Sequence, residues 1–585
     1  MDRRIGTNAA TLAVAWSLLR QRGQPRFFGK MKSFRAFSVF FLAALTAAAQ
    51  TSTDTATNAN TVISTNTVAG TDTVAGASTV TDTNTVDSTN TAVSTDMGTS
   101  TNMVTSTNAV AGRPMSLLDC IQESLTHNFD VQIERYNPQI ALYVLNATYS
   151  GYDPTFNFTG QHSYDNAGPR YVNGQLILGS VSEQNTFNTG LTGGTPWGMS
   201  YNLSGNVADS NIGTNNNFGI HNNFGAISLN VTQPLLKNFW IDATRLNIRV
   251  AKNRLKYSEQ GLRLQLIISV SAVINAYYEL IFAQQNVQVQ EEALNLSQTQ
   301  LDQDRQRVKI GTLAILSVQQ DESQVAQNQA SLIAAQSTLD TAENTLKNLL
   351  TDRYSQWHST DIQPTATLDA PSQSFDLQNS WNAGLNQRPD LLQAKLNVEV
   401  QGIQLKYYYN QRFPELNLLG TYGFNGSGGL NSDYNGTFNN FGQGSSPFYS
   451  YGAALTFPLS NVGPRNQYKS TKATLQQVLL QLKQFEQNVM VQIDNAVKTA
   501  QSKFESVQAT RQARIYAEAA LDAEQKTYAV GKATTFEVLQ YQNSLTTARS
   551  AEIRALADYN EALATLAQQQ GTTLEQYNVN FQTKP

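Results

Sequence analysis

A segment from Asp130 to about Leu349 recurs, with changed residues but kept punctuation, from Asp390 to about Gln569. Asp130 lies 24 residues before Pro154, which opens PTFNF, and Asp390 lies the same 24 before Pro414, which opens PELNL. LNVTQPLL around Pro234 answers LTFPL around Pro458, and VKIGTLAILSVQ around Gly311 answers AVGKATTFEVLQ around Gly531. A repeat of this size is one supersecondary plan used twice, so the two halves are expected to share faces, turns and burial pattern. The offset between copies is 260 at Pro154/Pro414, 224 at Pro234/Pro458 and 220 at Gly311/Gly531. Nearly all the slippage therefore falls between the two strands of the first copy.

Only 14% of the 585 residues are charged, yet the mean hydropathy is −0.35. Gln, Asn, Ser and Thr make up the difference, which suits wet or two-sided walls. A net charge of −4 speaks against a nucleic-acid footprint. Cys120 is the single cysteine, so no internal disulfide forms, and His127, His162, His221 and His358 lack ligand spacing. The expectation is no catalytic residue, no metal and no cofactor. Cys120 reads as a small core residue of a helix.

From Met31, MKSFRAFSVFFLAALTAAAQ has a basic start, an apolar run and small residues before Gln50, the pattern of a secretory signal peptide. Residues 1–49 are read as an upstream extension plus this signal; a start at Met1 with TLAVAWSLL as the apolar run is the alternative. Residues 50–112 are a Thr/Ser/Asn-rich stretch without aromatic residues, expected to be a disordered tether. The first repeat spans 113–350, a linker 351–375, the second repeat 376–570 and a tail 571–585.

Each repeat opens with helical periodicity that stops at its proline. TFNFTGQHSY, AISLNVTQP, ELNLLGTYGF and FYSYGAALTFP then read as four strands of about ten residues, close to the length that crosses a bilayer at a tilt. The extra residues near 180–210 predict an outer loop with its own hairpin, or added strands. Phe448, Tyr449 and Tyr451 open the last strand as an aromatic girdle would. Long helices follow at about 240–308 and 464–528, with stripes at Leu266, Val270, Val273, Tyr277, Leu280 and at Leu482, Phe485, Val489, Ile493, Ala496, Ala500. Gly311 and Gly531 break them, and 313–350 and 534–568 return antiparallel.

No stretch offers some eighteen uninterrupted apolar residues for a spanning helix. Four strands cannot close a barrel, and an open sheet edge in lipid leaves amides unsatisfied at several kcal/mol each. Three chains would supply twelve strands around a lumen, with their helices forming a second tube. The expected fold is mainly α with a membrane β-barrel part, internally duplicated, a trimeric twelve-strand barrel continued by a coiled-coil α-helical barrel.

SLLDCIQESL at the start, QPLL closing the first strand pair, AYYELIFAQQNVQVQEEAL on the long helix, and the paired VKIGTLAILSVQQ and YAVGKATTFEVLQYQ resemble the TolC family of outer-membrane efflux proteins over about residues 115–570. The resemblance implies a homotrimer in outer-membrane lipid with a periplasmic helical extension. It also implies docking to a periplasmic adaptor protein and an inner-membrane transporter, and passive export by a tripartite pump or a type I secretion system. It places the adaptor contacts at the hairpin tips, here Val308, Gly311, Thr312, Leu313, Val530, Gly531, Lys532 and Ala533. It places a narrow, acidic ring just past the second glycine. Glu537 matches the first such position, and a ring of its carboxylates would raise one another's pKa. Gln540 fills the second position, Ser317 stands where some relatives have an acid, and a basic partner near Ala533 is missing. Closure then falls to Lys532, to hydrogen bonds or to packing of Phe536. The rival reading is a non-conducting, surface-anchored coiled-coil adhesin, which would not need matched strand pairs.

Overall fold

The computed structural model describes residues 112–214, 217–430 and 434–579. The expected signal peptide, the tether up to residue 111 and the end of the tail lie outside these residues. Arg113–Met115 (β1) leads into helices Leu117–His127 (α1) and Phe129–Thr148 (α2). Asn128 separates them because its own ψ of 127° is extended while its Oδ1 accepts from the amides of Asp130 and Val131, at 2.9 and 3.3 Å, to cap α2. Strands Thr155–Ala167 (β2), Arg170–Val172 (β3), Gln175–Ile177 (β4), Ser180–Gly194 (β5), Ser200–Thr214 (β6) and Asn217–Pro234 (β7) follow. Helix Ala243–Lys309 (α3) turns back as Ile315–Leu350 (α4), and Ile362–Pro364 (β8) pairs parallel with β1. Leu377–Gln387 (α5), Pro389–Asn410 (α6), Glu415–Leu430 (β9), Tyr434–Gln443 (α7), Pro447–Thr456 (β10), Val462–Ala529 (α8) and Thr535–Gln570 (α9) complete the main elements.

The long helices α3 and α8 have 67 and 68 residues, about 100 Å each at 1.5 Å per residue. The predicted stripe on α3 is the core: Leu266, Val270, Val273, Tyr277 and Leu280 are all buried. On α8 the stripe is buried from Val489 through Ile493, Ala496 and Ala500, whereas Leu482 and Phe485 are half-buried. Each fully buried Leu, Val or Ile contributes about 1.5–3 kcal/mol, so the middle of the helical part is its most stable region. An 18-residue window of α3 reaches a mean hydropathy of 1.7, and 61% of it is buried against neighbouring elements. Burial in this core accounts for its apolarity. Tyr277 fixes the two short strands here. Its hydroxyl donates to the Met115 carbonyl at 3.1 Å and accepts from the amides of Thr365 and Ala366 at 3.2 and 3.3 Å.

Six strands form one antiparallel sheet in the order β10-β9-β7-β6-β5-β2. The register runs through all six. Phe156, Leu191, Leu203, Leu229, Tyr422 and Tyr449 make one rung, and the neighbouring rung is Thr155, Thr192, Asn202, Asn230, Thr421 and Ser450. Successive residues of a strand face opposite sides, so one face is apolar here and the other polar. Side chains tie the polar face together: Thr421 Oγ1 donates to Asn230 Oδ1 at 2.8 Å, Asn230 Nδ2 to Ser228 Oγ at 3.2 Å, and the Ser228 and Ser204 hydroxyls lie 3.1 Å apart. Toward the end of the sheet away from the long helices, α7 lies over β9 and β7, where Gly225 and Gly426 leave room for the Phe441 ring.

The sheet has six strands where four segments read as strands, and of the two alternatives for the region near 180–210 it takes the added strands. The segment with the extra residues supplies β5 and β6, joined by the turn at 195–199 and inserted between β2 and β7. Val181, Leu191, Leu203 and Val207 keep the alternation, but Gly, Thr and Asn fill many intervening and even facing positions, which dilutes the period-two signal. The loop beyond β2 has its own small hairpin, β3–β4, turning at Asn173-Gly174, both with positive φ (52° and 82°).

Candidate functional site

The two helical hairpins close in the same way. The Gly311 amide bonds the Val308 carbonyl at 3.0 Å and the Thr312 amide the Arg307 carbonyl at 2.9 Å; the Gly531 amide bonds the Tyr528 carbonyl at 3.0 Å and the Lys532 amide the Thr527 carbonyl at 3.1 Å. Both glycines sit at φ 73°, the left-handed conformation in which a helix's last carbonyls are satisfied at least steric cost. At these tips Gly311, Thr312, Val530, Gly531 and Lys532 are exposed, while Val308, Leu313 and Ala533 are half-buried. Sequence reasoning missed the larger apolar contributors: Ile310, Ile315 and Leu316 are exposed beside Val530 and Phe536, Ile310 by 74% and Val530 by 69%. Their run, interrupted by the glycine turn, carries no helical period that would have singled them out.

Phe536, Glu537 and Gln540 share the exposed face of the first turns of α9, and Ser317 lies half-buried in the first turn of α4. Glu537 is engaged within its own chain. Its Oε2 accepts from the Thr534 amide at 2.8 Å and the Thr534 hydroxyl at 2.9 Å, and its amide bonds back to Thr534 Oγ1 at 3.3 Å, a reciprocal cap of α9. The Thr534 backbone and hydroxyl hold its carboxyl below the usual glutamate range, opposite to the rise expected of a ring of like charges. Phe536 is exposed and makes no core contact, and Lys532 is exposed, so within the chain neither ties the tips together.

Hydrogen bonds do. Asp304 of α3, fully buried, accepts from the Tyr528 hydroxyl of α8 at 2.6 Å, from Thr535 Oγ1 of α9 at 3.2 Å and from Gln300 Nε2 at 3.0 Å. The Arg307 guanidinium lies 3.9 Å from Asp304 and 4.5 Å from the Tyr528 ring centroid. Gln324 of α4 and Asn543 of α9 exchange two hydrogen bonds, at 2.8 and 3.0 Å. Farther from the tips, Arg549 pairs with Glu292 at 2.6 Å, Ser550 bonds Asn286 at 2.9 Å and Arg554 pairs with Glu279 at 2.5 Å. A polar ladder therefore holds the second hairpin against the first.

In the sheet, Tyr449 and Tyr451 share the apolar face and are 74% and 86% exposed, whereas Phe448 points to the other face and packs over Gly423. Of the three residues expected to form a girdle, two share one face. Exposed Trp197, in the β5–β6 turn, and exposed Trp240, beyond β7, lie at the opposite rim. Cys120 is buried, and burial pushes its thiol up to about 12. Among the described residues no three His, Cys, Asp or Glu are grouped to hold a metal ion.

The model of the family described as outer membrane efflux protein matches residues 197–351 and 382–572, more than half of the chain. The outer membrane protein TolC of Salmonella enteritidis is 26% identical over 278 residues, 46% of this chain and 54% of that protein; TolC of Escherichia coli (strain K12) is 25% identical over 327 residues, 53% and 63%. The chain thus spans between half and two thirds of the length of these relatives. Among solved structures, the outer-membrane channel OprN superposes with a TM-score of 0.58 at 16% identity, covering 78% of this chain and 90% of that one. VceC from Vibrio cholerae gives 0.56 at 18%, covering 78% and 96%. Both likenesses concern the fold. By the span of the family match, the chain belongs to the outer membrane efflux protein family, whose place is the outer membrane with a helical part in the periplasm.

Proposed function

We propose that the protein is the passive exit duct of a tripartite efflux pump or a type I secretion system, conducting what an inner-membrane transporter delivers. The observation that carries this reading is the sheet's pair of adjacent rungs, one wholly apolar and one wholly polar across all six strands. A soluble sheet would hide the apolar rung in a core; here Phe156, Leu229, Tyr422 and Tyr449 of that rung are exposed and Leu191 and Leu203 half-buried, as suits the lipid face of a barrel, while the polar face suits a wet lumen. A coiled-coil adhesin has no use for such a wall.

Strands β2 and β10 each have one neighbour in the sheet, and in lipid their free edges would leave several kcal/mol per unsatisfied amide. Strand direction alternates across the sheet, so β10 of one copy meets β2 of the next antiparallel. Three copies close a homotrimer of eighteen strands, the two repeats of each chain forming a pseudo-sixfold helical wall below it. The exposed apolar tips around Ile310, Leu316 and Val530, with Gly311, Thr312, Gly531 and Lys532, receive a periplasmic adaptor. Phe536, Glu537, Gln540 and Ser317 line the constriction behind them, where three Glu537 carboxylates favour cations. No enzymatic step, metal or cofactor enters this reading.

The test is fractionation and export. The expected product is a heat-dissociable trimer in the outer-membrane fraction that restores solute export to a strain lacking its own duct when its adaptor and transporter are supplied. A soluble monomer, or a trimer that restores nothing with its partners present, contradicts the proposal.

A further inference from the structure

One buried group at the tips has no partner that the exit-duct reading supplies. Asp321 of α4 is fully buried, and both its carboxyl oxygens lack a hydrogen-bond donor. It faces Asp304 closely enough for the two carboxyls to interact directly. Asp304 is already the acceptor for Tyr528, Thr535 and Gln300. Two buried carboxylates in contact repel and cannot both stay ionised; a proton placed between them converts the contact into a hydrogen bond.

We propose that Asp304 and Asp321 form a proton-binding site that shares one proton and thereby latches the closed tips. The proton sits on Asp321, whose O–H donates to Asp304. Asp304 in turn gathers Tyr528 and Thr535 from the other hairpin, so one proton ties together four helices. The groups facing the pair are Arg307 on α3, 3.9 Å from Asp304, Tyr528 on α8 and neutral Thr535 on α9; Arg305 is turned to Glu322, at 2.9 Å. Arg307 offsets part of the negative charge but gives Asp321 no hydrogen bond.

The direction of the pH dependence follows from burial. Desolvation first, and then the Asp304 charge, push the Asp321 carboxyl up from 3.8 to about 7. Opening that admits water returns it toward its ordinary value, so the open tips hold fewer protons than the closed ones. Rising pH therefore favours opening between about 4 and about 7, and the effect levels off above that range, where both states are ionised.

The inference rests on the exit-duct reading only for its consequence, so its test reads the latch directly. Hydrogen–deuterium exchange of the tip amides, about residues 305–316 and 525–540, is compared between the full-length wild-type protein and Asp321→Asn at matched pH, which cancels intrinsic exchange rates. The amide introduced by this substitution keeps an N–H donor toward Asp304 and cannot ionise. The expected result is a wild-type-to-variant exchange ratio that rises from about pH 5 to about pH 8, by roughly tenfold per pH unit up to about pH 7 and little beyond. An unchanged ratio across that range overturns the proposal. If Asp321→Asn does not fold, Asp304→Asn, which removes the like charge beside Asp321, must reduce the pH dependence, and failure to do so overturns it equally. Bilayer conductance recorded alongside separates the two claims: pH-dependent exchange in a protein that never conducts leaves the proton site standing and removes the duct.

Discussion

Tyr528 and Asp304 lie 224 residues apart in sequence and meet through a 2.6 Å hydrogen bond in a site closed to water. Tyr528→Phe removes the donor and leaves a buried acceptor short of a partner, at a cost of about 1–3 kcal/mol. The expected outcome is a leakier closed state, about tenfold in open fraction, read as higher basal conductance with the fold intact by circular dichroism. Cys120, with its thiol pushed up to about 12, should resist maleimide in the folded protein and react only after unfolding. Little of this was legible in the sequence. Asp304 and Asp321 look like ordinary polar positions of long polar helices, and only tertiary packing makes them buried. Glu537 was singled out only through the family resemblance, and its role as the cap partner of Thr534 went unread although the T-x-x-E signature stands in the sequence.

At the scale of elements, the long helices, their glycine turns and the core stripe of α3 were legible because periods of three and four persist over dozens of residues. Substituting Gly311 or Gly531 by Ala forces a side chain into φ 73°, costing about 1–2 kcal/mol. Each change should weaken adaptor capture by the tips more than it lowers the stability of the whole, as compared by pull-down and thermal unfolding. The strands were the harder elements. Short period-two runs broken by Gly and Asn hid β5 and β6, and no turn signal separated loop hairpin from wall. The register supplies a sharp test on neighbouring residues. Leu229→Arg, on the apolar rung, should cost about 2–4 kcal/mol in a lipid-embedded barrel, whereas Asn230→Arg, facing the polar side, should leave folding nearly unchanged. Refolding of the two variants into lipid vesicles, followed by the shift of the folded band in gels, distinguishes them; equal losses would contradict the assignment of faces.

At the scale of the whole molecule, the family was visible in the sequence, while the number of strands per chain was left open, since it hinged on the least patterned segment. If three copies close as proposed, six strands per chain would give a barrel of eighteen strands, wider than one of twelve, because barrel diameter grows with strand number. Electron microscopy of the purified assembly should count eighteen strands above a helical tube on the order of 100 Å long. The central claim is that this wall encloses a conducting lumen, and planar-bilayer recording on the purified, membrane-inserted protein tests it most directly. The account predicts discrete, cation-preferring conductance steps whose preference falls on Glu537→Ala. Inserted trimers that carry no current, in the wild type and in Tyr528→Phe alike, would contradict it.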